Sequence, residues 1–223
     1  MERPTYLTLA LLTVFVAGWA SVAISKLISA DDCIRLVENP VQLMVLQQEW
    51  AKQNVTAVVR HATDCLPDEV DGCVDGNETL TKVGQAQAAT IGIGVRRILG
   101  SNFLVKHSYL HRTRETAALA FGDSSEEPAI TKPCKETFQT YINRFDAAGN
   151  QFFVTHSSCI NSLSDENGDR LLGFSASKDE NFGIAAFFRR NRNDSNELIG
   201  CVWPADWAAM SARTADPQIS ATK

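Results

Sequence analysis

Val55 to Val59 (V-T-A-V-V) is a short run of apolar and β-branched residues that stops at Arg60-His61-Ala62-Thr63-Asp64. A run of this length and make-up reads as a buried strand. Buried charge needs partners, so Arg60 and His61 belong at the strand's carboxyl end, where open α/β sheets gather their ligands. Arg60 supplies a permanent planar cation suited to a phosphate or carboxylate. His61 supplies a ring nitrogen that is largely neutral, and so able to attack, near pH 7.

Two later segments repeat the pattern. Phe103 to Val105 is a second apolar strand, followed by Ser108-Tyr109-Leu110-His111-Arg112-Thr113-Arg114-Glu115-Thr116-Ala117. Gln151 to Val154 is a third, and it runs into Thr155-His156-Ser157. Helices are expected over Val41 to Lys52, Leu80 to Leu99, Arg112 to Phe121 with Gly122 as its stop, and Lys135 to Ala147. Gly84, Gly92 and Gly94 lower the helicity of the second of these, so close packing on the sheet is expected to hold it. Phe182 to Arg189 and Leu198 to Trp203 read as further strands. Strands alternating with helices argue for parallel neighbours joined by right-handed crossovers.

The chain of 223 residues is long enough for one substantial domain, placed at 54–210 after a connecting segment at 31–53. Residues 211–223 are polar and expected to be a disordered tail. A net charge of −5 argues against a nucleic-acid partner, which would want a basic face. Leu7 to Ile24 carries no charged residue, so residues 1–30 fit a secretory signal or an uncleaved inner-membrane anchor equally well. Either implies export to the periplasm.

The six cysteines all lie beyond that apolar segment, as expected for an oxidising compartment. Sequence permits 15 pairings of six cysteines. Cys65 and Cys73 bracket a short Pro/Asp/Gly loop and are paired here; their spacing is too long for a zinc site. Cys134 with Cys159 comes next, which leaves Cys33 for Cys201.

The order Arg60-His61, then Leu80-Thr81-x-x-Gly84-x-x-Gln87-Ala88, then Ser108-x-Leu110-x-Arg112-x-x-x-Thr116-Ala117, then Thr155-His156 resembles the histidine phosphatase, or phosphoglycerate-mutase-like, superfamily. The resemblance spans roughly Val55 to Ile160. It implies a three-layer α/β/α sandwich with a mostly parallel sheet. One departure is Ala62, where the family usually has Gly.

A phosphomonoester repels nucleophiles until cations neutralise its oxygens, so positioning and electrostatics dominate its cleavage. The resemblance makes His61 the nucleophile, with Arg60, Arg112 and His156 around the phosphate. The motif's register selects Arg112 over Arg114, which with Arg97 is then a solvated helix charge. The leaving alkoxide needs a proton. Glu136 is the first candidate donor, because the family often draws this acid from the corresponding segment. Asp64 is second and Glu115 third. Thr63, Thr155 and Ser157 can donate to phosphate or cap backbone. His107 and His111 have chelating spacing only if both lie on one helix, and they are read as ordinary polar histidines, with no metal and no cofactor.

Arg-His-Ala, the cysteine-bounded loop, Thr155-His156-x-x-Cys159 and the export signature together look like bacterial envelope phosphatases acting on lipopolysaccharide core heptose phosphate. The expectation is therefore a periplasmic histidine acid phosphatase-type phosphomonoesterase acting on a phosphorylated small molecule or glycan. It is either soluble or tethered by residues 7–24; oligomeric state is left open. The alternative is a non-catalytic phosphate- or phosphoglycan-binding envelope protein.

Overall fold

A computed structural model describes residues 33–65, 73, 79–131, 134, 138–139, 141–142, 149–164, 170–172, 176, 179–191 and 196–214. Helix α1 spans Pro40–Ala51, β1 Val55–Arg60, α2 Lys82–Leu99, β2 Phe103–His107 and α3 His111–Phe121. Then come β3 Ser125–Glu126, β4 Asn150–Thr155, α4 Ser157–Ile160, β5 Ala185–Arg190, β6 Asn196–Val202 and α5 Pro204–Thr214. The six strands lie in the order β3-β2-β4-β1-β5-β6. The first four are mutually parallel, and β5 runs antiparallel to both β1 and β6.

Period-two alternation sends the central strands' side chains into two separate cores. Ala57, Val59, Phe152, Val154 and Phe187 meet Leu46, Trp50, Ile91, Val95, Ala117 and Trp207 from the helices on one face. Val58, Phe153, Ala186 and Phe188 meet Ile130, Phe138, Ile142 and Ile160 on the other. Every residue of β1 and β4 is buried. The architecture is the expected three-layer α/β/α sandwich with a mostly parallel sheet.

Helix α2 starts where Thr81 Oγ1 accepts the Gly84 amide at 3.0 Å, an N-cap. Its glycines serve close packing, but not against the sheet. A Cβ on Gly84 would sit 2.0 Å from the Thr63 carbonyl oxygen, one on Gly92 1.8 Å from that of Ala120, and one on Gly94 2.7 Å from the Trp207 ring. Contact with the loop after β1, with α3 and with α5 holds them.

The three disulfides are Cys33–Cys201, Cys65–Cys73 and Cys134–Cys159. Two expectations are corrected. The strand expected from Phe182 begins at Ala185, because a 3₁₀ turn at Asp179–Asn181 and the positive φ of Gly183 (73°) come first. The second is a helix missed in the sequence: α5 buries Trp207 and Met210. It continues through Thr214, so residues 211–214 are helical rather than tail; 215–223 lie outside the described residues. His107 ends β2, as expected, while His111 opens α3, so they are not stacked on one helix. Leu7–Ile24, Glu136 and most of the expected helix from Lys135 to Ala147 also lie outside the described residues.

Candidate active site

Strands β2, β4 and β1 are parallel neighbours, so their carboxyl ends open on one edge of the sheet. The residues directly following or ending those strands are Ser108, His156 and Arg60-His61. Backbone bonds hold the ends in register: His61 N donates to Thr155 O at 3.0 Å, and Ser108 N to Val154 O at 3.1 Å. Gly183 N donates to His61 O at 3.1 Å, which brings the segment before β5 to the same edge.

His61 and His156 meet edge to face with ring centroids 5.5 Å apart, and both are buried. His61 Nδ1 lies 2.9 Å from the Ala62 carbonyl oxygen. A carbonyl can only accept, so Nδ1 carries the proton and Nε2 keeps the lone pair. Burial, the dominant cause, holds His61 well below the ordinary histidine range, and the neighbouring His156, Arg112 and Arg60 push the same way. The ring is thus neutral at physiological pH, with the lone pair on Nε2.

The Arg60 guanidinium lies 3.5 Å above the Phe182 ring centroid, and its Nη1 donates to Ala176 O at 2.6 Å. Burial pushes its pKa down to about 10, which still leaves it charged at neutral pH. Phe182 also packs on His61 at 5.5 Å between ring centroids. Arg112, in the first turn of α3, places Nε 3.4 Å from Asp64 Oδ2, while Asp64 Oδ1 is 3.9 Å from His61 Nδ1. Arg114 and Arg97 are exposed.

Among the other expected positions, Thr63 Oγ1 donates to Gln87 Oε1 at 2.8 Å, a tie between the end of β1 and α2. Thr155 Oγ1 donates to Ile130 O at 2.7 Å. Glu115 accepts from Leu80 N at 2.8 Å and Gln85 Nε2 at 3.0 Å, which makes it a staple for the entry to α2. Ala62 is fully buried, and its amide donates to Thr116 Oγ1 at 3.0 Å. Among the described residues no group of three or more His, Cys, Asp or Glu is placed to hold a metal ion. Sequence reasoning missed Phe182 and Ala176. Neither carries a titratable group or a motif, and only the folded chain brings them to Arg60.

The architecture recurs in solved structures. A protein from Agrobacterium tumefaciens assigned as the phosphohistidine phosphatase SixA superposes with a TM-score of 0.51 at 20% identity, covering 66% of this chain and 96% of that one. The protein histidine phosphatase SixA complexed with tungstate gives a TM-score of 0.51 at 12% identity, covering 68% and 98%. This is the histidine-phosphatase fold. No protein-family model and no curated protein matches the chain. In the histidine-phosphatase fold of this chain, the candidate site lies where strand ends converge, as for open α/β sheets in general.

Proposed function

We propose that the protein is an exported phosphomonoesterase that works through a phosphohistidine on His61. The observation that carries this reading is a buried neutral imidazole with Nε2 available, set beside Arg60, Arg112 and His156. Arg60, Arg112 and His156 neutralise the phosphoryl oxygens, and the His61 Nε2 lone pair attacks phosphorus as the P–O bond to the leaving group breaks. A carboxylic acid gives its proton to the departing alkoxide. Water then attacks the phosphohistidine with the same carboxylate as base, the P–N bond breaks, and its electron pair returns to Nε2.

Glu136 is the proposed acid. Asp64 is its rival, buried within 4 Å of both His61 and Arg112. For Thr63 to bind phosphate as a donor, its hydroxyl would have to leave Gln87.

The proposed substrate is a phosphorylated sugar of the lipopolysaccharide core, and the proposed location is the periplasm, free or held by Leu7 to Ile24. Arg-His-Ala and Thr155-His156-x-x-Cys159 support the substrate. Six cysteines joined in three bridges support the compartment.

The test is phosphate release by the full chain from a panel of sugar phosphates and p-nitrophenyl phosphate, with EDTA present. Turnover that survives chelation and favours sugar phosphates is the expected result. Phosphate binding without release from any ester would instead make this a binding protein.

A further inference from the structure

Ser108, Thr113 and His156 form a hydrogen-bonded chain in which the direction of every proton can be read. Thr113 Oγ1 lies 2.8 Å from Ser108 O and 2.6 Å from Leu110 O. Both are carbonyl oxygens, which accept only, so the single hydroxyl proton of Thr113 goes to one of them. Thr113 Oγ1 is therefore an acceptor toward Ser108 Oγ, 2.8 Å away. Ser108 spends its one proton there, so Ser108 Oγ is an acceptor toward His156 Nε2 at 2.7 Å. Nε2 must carry the proton. All three side chains are essentially fully buried.

We propose that Ser108 and Thr113 are positioning residues that lock His156 as the Nε2–H donor, so that His156 engages a bound phosphoryl group through Nδ1 and as an imidazolium. With Nε2 committed, Nδ1 is the nitrogen left to take up or release a proton. A neutral Nδ1 would present a lone pair to the phosphoryl oxygens and repel them; a protonated one donates. The Ser108 lone pair that accepts from Nε2 stabilises that cation. Phosphate binding is then coupled to uptake of one proton at His156.

The groups that bear on this titration come from every side of the crevice. Arg60 and His61 end β1, Asp64 follows them, and Arg112 opens α3. His107 comes from β2, with its Nδ1 2.9 Å from the Ser108 carbonyl. The chain of strand ends β2-β4-β1 is also the order Ser108, His156, His61, which makes the relay a property of the sheet's order.

The phosphoryl-binding role of His156 rests on the proposed function; its tautomer does not. The experiment is ¹⁵N-imidazole NMR on the full chain, whose four histidines make assignment practical. Wild type should show His156 protonated at Nε2, and saturating inorganic phosphate should protonate Nδ1 as well. Thr113→Val removes the acceptor for Ser108, frees its proton for Nε2, and should switch His156 to the Nδ1–H tautomer. Thr113→Ser should keep the wild-type pattern. Ser108→Ala should lower the His156 titration, and the basic limb of kcat/KM, by about one pH unit. A wild-type His156 carrying its proton on Nδ1 overturns the proposal even if no variant folds. So does Thr113→Val with an unchanged tautomer. Absence of turnover on every ester, with the tautomers as stated, would count against the phosphatase reading while leaving the relay intact.

Discussion

The carbonyl oxygen of Ala62 accepts the Nδ1 proton of His61 at 2.9 Å, so the backbone of the next residue decides which ring nitrogen can act as nucleophile. Phosphate trapped on the protein should therefore sit on Nε2 of His61. Rapid quench with a labelled ester, followed by ³¹P and ¹⁵N analysis, should find an acid-labile, base-stable adduct at that atom only. His61→Ala should carry no label and lose turnover by about a thousandfold or more. Label on Nδ1, or a mutant retaining a tenth of wild-type turnover, would remove His61 Nε2 from this role.

The same burial makes a stability prediction. His61 is held well below 6.5 in the folded chain, so between that depressed value and 6.5 the unfolded state binds more protons. Stability is then present above pH 6.5 and declines as pH falls below it. One proton contributes a slope of at most about 1.4 kcal/mol per pH unit. Urea unfolding between pH 6.5 and 5 should show a steeper loss in wild type than in His61→Gln. Parallel curves would mean that His61 is not buried as a neutral ring.

Identity of the acid is separable by leaving group. If Glu136 protonates the alkoxide, Glu136→Gln should slow sugar phosphates far more than p-nitrophenyl phosphate, whose leaving group needs little help. Asp64→Asn should then affect both ester classes alike, through Arg112. The opposite pattern would transfer the role to Asp64, and equal losses in both variants would assign neither carboxylate to proton donation.

Two glycines of one helix should behave differently. Replacing Gly by Ala in a helix gains up to about 1 kcal/mol of intrinsic propensity, whereas forcing a methyl into packed structure costs about 1–3 kcal/mol. The new Cβ would press on backbone at both Gly84 and Gly92, so destabilisation wins at both. Only Gly84 abuts Thr63, two residues past His61. Gly84→Ala should lower urea midpoint and turnover together, while Gly92→Ala should lower the midpoint and leave turnover per folded molecule near wild type. A Gly84→Ala variant as active and stable as wild type would mean the contact relaxes freely.

What could be read from the chain alone was local in origin. The V-T-A-V-V run is apolar without alternation because β1 is covered on both faces. That pattern, followed at once by Arg60-His61, located the strand and its carboxyl end. Ser108 and His156 follow strands and Arg112 opens α3, and the family motif, which continues to Thr116 inside that helix, singled them out. The cysteines of the short loop paired as their spacing required.

Other features depended on residues that meet only after folding. Phe182 and Ala176 reach Arg60 through a segment whose composition signals nothing, and α5 was hidden because Trp207 and Met210 find their core only against α2 and β5. The glycines of α2 looked like weaknesses until Thr63, Ala120 and Trp207 came within contact of them. Most consequential, the sequence named His61 and His156 but not the protonation of either. A hydrogen bond's direction depends on which acceptor lies opposite, and a buried imidazole's charge depends on how much water is excluded from it. Both are properties of three-dimensional neighbours, here the Ala62 carbonyl for one ring and the Thr113–Ser108 pair for the other.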